Sequence, residues 1–372
     1  MRADLPELLP LICPACRRLS ERGRELFTLC LAQVVRAAPP RPPAAVEVEE
    51  GVLACVNPAC GRCYPILGGI PILLPSLEAA GGDGGAATLG GLAAGQLAAL
   101  ALQGLTPETA ALLALDGPDD APLPRLLEHL SIYLDAHWGD RATPPPDGPA
   151  GQTAGFGGRH LMAALAERAQ APVACAVELG CSVGRGLFEL ARGAELVVGV
   201  DLHLGALLAA RRLLTGDPLR YARRLIGRHY APAQLPPAPA ERVALVCGDA
   251  LDPPLVPHGF ARVVACNLLD SVRSPAGLLS VVDGLCAPQG ELLLASPYSW
   301  QSGVVAEGAR LGGADPAADL RTQLTRGGVG LAAGLEAAYT VEDDRELPWE
   351  LRRDARSAHA YRVHFLRARK PG

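Results

Sequence analysis

The stretch Val177-Glu178-Leu179-Gly180-Cys181-Ser182-Val183-Gly184-Arg185-Gly186, followed by a helical segment and Val197-Val198-Gly199-Val200-Asp201, constrains this chain more than any other. It reads as a strand, a glycine turn, a helix and a second strand ending in an acid. Val173 to Leu179 is apolar enough for a buried parallel strand. Gly180, Gly184 and Gly186 allow a sharp turn and close approach of a ligand. The amides of the helix that begins near Leu187 then point at whatever sits on the turn. Asp201 lies about twenty residues beyond the first glycine, where an acid accepts the hydroxyls of a ribose. Open α/β sheets hold ligands just outside such strand ends. The pattern therefore predicts a nucleoside-type cofactor site in a doubly wound sheet.

The order of elements supports that sheet. From Arg159 onward helix and strand alternate. His160 to Gln170 reads as a helix, Val243 to Cys247 as a third strand ended by Gly248-Asp249-Ala250, and Ala261 to Cys266 as a fourth followed by Asn267-Leu268-Leu269-Asp270. Gly277 to Leu285 is a helix, and Glu291 to Ala295 a fifth strand that runs into Ser296-Pro297-Tyr298-Ser299-Trp300. The tail from Ala360 to Arg369 alternates apolar and polar residues, as an edge strand does. Upstream, Gly91 to Gln103, Pro107 to Leu115 and Arg125 to Trp138 read as helices. Ala79 to Gly85 reads as a flexible linker and Thr143 to Gly158 as a loop. Tyr133 and His137, four apart, share one helix face.

Cysteine placement separates the beginning of the chain from the rest. Six of the eleven cysteines fall before residue 64. With no basic and apolar leader at the start, the expectation is a cytoplasmic protein, where clustered cysteines mean metal rather than disulfides. Cys13-Pro14-Ala15-Cys16 is a two-thiolate knuckle, and a second follows in Cys55-Val56-Asn57-Pro58-Ala59-Cys60-Gly61-Arg62-Cys63. Tetrahedral zinc needs four ligands. Cys13, Cys16, Cys55 and Cys60 are the expected set, with Cys63 the alternative to Cys55. The formal net charge of −5 argues against a general nucleic-acid binder, and the longest uncharged run is too diluted by Gly, Thr and Gln to cross a membrane. Arg211, Arg212, Arg220, Arg223, Arg224 and Arg228 form a local basic patch, read here as a solvated helix face.

The run Cys60-Gly61-Arg62 and Cys63-Tyr64-Pro65-Ile66-Leu67-Gly68-Gly69-Ile70-Pro71 resembles the zinc-ribbon family of small methyltransferase-activator proteins. That resemblance covers residues 9 to 75 and implies a structural zinc and a protein partner reached through the ribbon. It departs from the family in the Cys55–Cys60 spacing and in a long insert from Leu19 to Gly51. The glycine turn, with Ser182 where a dinucleotide fingerprint has its middle glycine, together with Asp201 and Gly248-Asp249-Ala250, resembles the class I S-adenosylmethionine-dependent methyltransferases. Carried over by position, the resemblance assigns Gly180, Cys181, Gly184, Asp201, Asp249 and Ala250 to the cofactor. Glu178 and Asn267, at the ends of their strands, join them.

Residues 130 to 369 further resemble the methyltransferase domain of ovothiol synthase. The similarity lies in Tyr133 to Gly139, Leu179 to Arg185, Asn267-Leu268-Leu269-Asp270, Ser296 to Trp300 and the spacing of Pro348 to Arg356. It implies N-methylation of a histidine-derived imidazole, although the sulfoxide-synthase part of that enzyme is absent here. His137, Asp270 and Tyr298 are the expected catalytic groups. The whole reading is an α/β chain with a Rossmann-like methyltransferase sheet. It comprises a zinc-ribbon-like domain over residues 1–75, a helical connecting region over 76–158 and a methyltransferase domain over 159–372. Methylation of RNA or protein, or a scaffold role beside a partner methyltransferase, are the competing readings.

Overall fold

The computed structural model describes residues 1–19, 26–38, 46–74, 95–115, 118–142, 156–327 and 334–372. The expected linker at Ala79 to Gly85 and nearly all of the expected loop at Thr143 to Gly158 lie outside the described residues.

Five parallel strands form one side of a seven-stranded sheet: β5 (Val173–Leu179), β6 (Ala194–Asp201), β9 (Val243–Cys247), β10 (Phe260–Cys266) and β11 (Cys286–Ser296). Two antiparallel strands, β12 (Thr340–Arg352) and β13 (Ala358–Arg369), complete it in the order β12-β13-β11-β10-β5-β6-β9. The chain builds outward from β5 to β6 and β9, then crosses to β10 on the other side. The strand order thus reverses between β5 and β10, which opens a crevice at their carboxyl ends. Apolar side chains on both faces, such as Val177 and Val263 on one and Ala176 and Val264 on the other, make two cores with helices outside them.

The tail strand β13 is not an edge. It lies between β11 and β12, because the preceding strand β12 doubles back and takes the outer position. Its second half is buried on both faces, with Leu366 and Ala368 in one core and Val363 and Phe365 in the other, as an interior strand requires.

The connecting helices α3 (residues 95–102), α4 (Pro107–Leu115) and α5 (Pro122–Trp138) lead into the domain. Of these, α5 packs into the core of this sheet, and α4 packs on α5 and on a later hairpin over residues 219–235. Leu130, Leu134 and Trp138 of α5 share a core with Leu204 and Leu187. Trp138 is fully buried, and its indole N–H donates to the Val183 carbonyl of the glycine turn at 2.9 Å. Truncating such a side chain costs about 3–5 kcal/mol. The turn and the helix are therefore one packed unit.

The expected basic helix face is corrected. Only Arg211 and Arg212 lie on a helix, α8 (Leu204–Leu214); the others lie on a hairpin of β7 (Leu219–Ile226) and β8 (His229–Leu235) or its turn. Acids of other elements meet most of them: Arg223 bonds Asp135 at 2.7 Å, Arg220 meets Glu108 at 3.1 Å, Arg228 meets Asp119 at 2.5 Å and Arg224 pairs with Glu128. The patch fastens the hairpin to α4 and α5, which a period-based reading of one segment has no means of showing.

The described residues before 75 include a small separate sheet of β1 (Leu29–Ala38), β2 (Glu47–Cys55), β3 (Cys63–Leu67) and β4 (Ile70–Pro71), all antiparallel. Just past β4, Ile72 bridges Cys247 in parallel, and the Leu73 amide donates to the Cys247 carbonyl at 2.8 Å. The small module thereby covers the β9 edge of the large sheet, the side on which a bare strand would otherwise present unpaired groups.

Candidate active site and cysteine cluster

The glycine turn takes its shape from what lies beneath it. Gly184 begins α7 (Arg185–Leu190) in the left-handed conformation, at φ 76°. A Cβ on Gly186 would lie 2.3 Å from the Glu178 carboxylate, so only glycine lets the helix start directly above that buried acid. Burial, and then the nearby charge of Asp201, push Glu178 up to about 8, although the Leu187 amide at the helix start acts against them.

Above the turn a cavity of about 300 Å³ occupies the crevice between β5 and β10. Its floor carries Glu178, Gly180, Ser182, Asp201 and Asn267. Asp201 accepts from the Ser182 amide at 2.8 Å and from the His203 amide at 2.7 Å, which ties the second strand end to the turn. Burial raises its carboxyl. Ser182 and Asn267, both in the lining, hold positive φ of 47° and 53°.

One face of α5 supplies the opposite wall. His129, Tyr133 and His137 follow one another at four-residue intervals and all line the cavity. His129 stacks on Tyr133 with centroids 4.4 Å apart and on His203 at 4.1 Å, while His137 meets Trp349 edge-on at 5.3 Å. Burial holds all three imidazoles neutral: His137 falls to about 3, with the Arg185 charge assisting, and His129 and His203 fall below the ordinary value. Trp349, Leu351 and Tyr361 of the β12–β13 hairpin close the mouth.

Five buried side-chain atoms around this cavity have no partner among the described residues: Glu178 Oε2, Ser182 Oγ, Asn267 Oδ1, His129 Nε2 and His137 Nδ1. Buried polar groups are nearly always satisfied, so their convergence marks a place where a polar ligand completes them.

The expected residues divide. Glu178, Gly180, Asp201, Asn267, His137 and Asp270 line the cavity. Cys181 and Gly184 lie behind the turn, with Cys181 buried against Gly199 and Gly184 against Ala210. Asp249 and Ala250 stand outside the cavity lining on the loop after β9, where Asp249 accepts from the Leu251 amide at 2.9 Å and from Arg273 at 3.0 Å. The Gly248 amide donates to the Asp201 carbonyl at 3.0 Å, so the two acids leave neighbouring strand ends. Asp270 is partly engaged, accepting from the Ser299 amide at 2.8 Å, and burial raises its carboxyl. Tyr298 does not line the cavity. Its hydroxyl meets His364 Nδ1 at 2.7 Å, and His364 Nε2 meets Asp344 at 3.0 Å. His129, His203 and Tyr361 escaped the sequence reading; for His129 the signal was its four-residue step to Tyr133.

In the N-terminal module, Cys13, Cys16, Cys55 and Cys60 bring their sulfurs within 4.8 Å of one another. Cys13 and Cys60 are 3.8 Å apart, and Cys16 and Cys55 3.6 Å. Four sulfurs bound about 2.3 Å from zinc in a tetrahedron are about 3.8 Å apart. The Asn57 backbone and side-chain amides point at the sulfurs of Cys55 (3.4 Å) and Cys16 (3.5 Å), as donors to thiolates do. The donor set therefore fits zinc. Cys63 is excluded from it, because β3 turns that side chain outward to solvent.

A doubly wound sheet with a strand-end cavity, a glycine turn and an acid at the second strand defines a nucleoside-cofactor enzyme of the α/β class. Residues 177–294 match the family described as "Methyltransferase domain", and the chain is an enzyme carrying a class I S-adenosylmethionine-dependent methyltransferase domain. Among solved structures it is similar to N-methyltransferase NodS from Bradyrhizobium japonicum WM9, at 14% identity over 57% of this chain and 96% of that one, TM-score 0.38. It is also similar to magnesium protoporphyrin IX methyltransferase from Synechocystis PCC 6803 with bound SAM, at 14% identity over 66% of this chain and 95% of that one, TM-score 0.38. No curated protein sequence matches the chain.

Proposed function

We propose that the chain methylates a nitrogen of a small molecule, with a histidine-derived imidazole as the leading acceptor class, and that its N-terminal module holds a structural zinc. The observation that carries the acceptor reading is the wall of neutral imidazoles and aromatic rings on α5 and the β12–β13 hairpin, with His129 Nε2 and His137 Nδ1 buried and without a partner among the described residues. The ionisable acids of the lining are Glu178, Asp201 and Asp270, and among the described residues no arginine or lysine lines it. A pocket with acids and without a cation suits a neutral or cationic acceptor better than a phosphate. The pairing of the hairpin arginines with acids supports a small molecule over RNA in the same way.

S-adenosylmethionine, when bound, supplies an electrophilic methyl group on a sulfonium sulfur. Asp201 would take its ribose hydroxyls, the turn from Gly180 to Gly184 and Asn267 would hold its methionine part, and Asp249 with Ala250 would meet its adenine. The chain's own task is to present a nitrogen lone pair in line and to keep water away. Tyr133, Trp349 and Tyr361 surround the acceptor, and His129 and His137 hydrogen-bond it. His137, held neutral down to about pH 3, orients rather than abstracts a proton. Asp270 receives the proton that a methylated imidazole N–H gives up.

The test is turnover of methyl-labelled S-adenosylmethionine against a panel of histidine derivatives, amines and thiols. Methylation of an imidazole nitrogen supports the proposal. Selective labelling of RNA or protein, with the small molecules inert, overturns it.

A further inference from the structure

We infer that Arg17, in the N-terminal module, is a positioning residue for the loop that meets the cofactor's adenine, so that the cysteine cluster sets cofactor affinity from outside the pocket. The inference rests on the proposed placement of adenine beside Asp249.

The loop from Gly248 to Leu255 is held from two sides. From within, Asp249 accepts the Leu251 amide on its carboxylate, and its carbonyl accepts the Asp252 amide at 3.0 Å. From the module, the Ile12 amide donates to the Pro254 carbonyl at 2.9 Å, Arg17 Nη1 donates to the Pro253 carbonyl, and Arg17 Nε meets Asp252 at 3.3 Å. Pro253 and Pro254 have fixed φ, so displacement at one end of the pair is transmitted to the other. The module therefore grips Asp252, whose amide is tied to the Asp249 carbonyl, and the two prolines that follow it.

Arg17 follows Cys16 directly in the chain, so the cysteines set its anchorage together with Tyr64, whose hydroxyl accepts the Ala15 amide at 3.3 Å. It sits on α2 (Pro14–Leu19), a helix of six residues that is too short to hold its shape alone. Cys13 and Cys16 anchor that helix, and the Arg17 amide donates to the Cys13 carbonyl at 3.2 Å. Four thiolates joined on one zinc would fix the direction of the guanidinium.

The experiment is calorimetric titration of the full chain with S-adenosylhomocysteine and with adenosine, accompanied by zinc content and melting temperature. Arg17→Ala is expected to weaken both ligands about tenfold, the scale of one charge-assisted contact, with zinc content unchanged. In turnover, KM for S-adenosylmethionine rises and KM for the acceptor does not. Asp249→Ala serves as the control for the adenine reading: unchanged adenosine binding there overturns that reading. Weakened binding in Asp249→Ala with unchanged binding in Arg17→Ala overturns the role of Arg17 alone. Where Arg17→Ala loses zinc or melts early, Asp252→Asn removes the pair from the loop side; a like loss of affinity supports the inference and unchanged affinity refutes it.

Discussion

Replacing Glu178 by glutamine keeps the side chain's shape and removes a charge that the fold suppresses. Glu178 is 4% exposed, and burial with the neighbouring Asp201 charge moves its carboxyl from an ordinary 4.5 up to about 8. Between those two pH values the folded chain keeps the proton and the unfolded chain has lost it. The folded state therefore binds more protons, and stability falls as pH rises from 4.5 to about 8, then levels off. At about 1.4 kcal/mol for each pH unit, the ceiling on this loss is roughly 5 kcal/mol. The Leu187 amide and relaxation of the pocket reduce it, so Glu178→Gln is expected to be more stable than the parent by about 1–3 kcal/mol near pH 9 and equal to it near pH 5. Urea denaturation without cofactor, at about pH 5, 7 and 9, measures this directly. The buried histidines act in the other direction: His137, depressed to about 3, removes stability as pH falls below its ordinary 6.5, and glutamine leaves that limb untouched. A variant whose stability runs parallel to the parent's across the whole range refutes the reasoning.

Further outcomes follow from the same geometry. Asp201→Ala removes the acceptor of the Ser182 and His203 amides and the proposed ribose ligand, and should weaken S-adenosylmethionine at least a hundredfold by calorimetry; near-parental affinity counts against the cofactor placement. Purified protein should contain one equivalent of zinc by mass spectrometry, and stripping it should lower the melting temperature. Well under one equivalent in protein prepared without chelator counts against the ribbon reading. Tyr298→Phe leaves His364 Nδ1 short of a partner and should cost about 1–3 kcal/mol of stability with cofactor affinity unchanged, as separate denaturation and titration experiments can show.

Much of the cofactor half was legible because its signals are local. A buried strand, a glycine turn and a helix start are written in consecutive residues, so the predicted β5, turn and β6 stand where expected to within three residues. The pairing of Tyr133 with His137 was visible for the same reason, since a four-residue step fixes a helix face. His203 was not, because its stack on His129 joins two helices distant in the chain.

The sequence alone determined the fold class, the position of the turn and the candidate cysteines, since helix and strand periodicity and ligand spacing need only neighbours along the chain. Tertiary structure decided the rest. It chose Cys55 over Cys63 by the face of β3, placed the tail strand inside the sheet rather than at its edge, and turned Tyr298 away from the cavity toward His364. It also spent the basic patch on acids of α4 and α5 and set the N-terminal module on the β9 edge. Each of these depends on which surfaces meet across long stretches of chain, and that is settled by packing and pairing energies that no local pattern records.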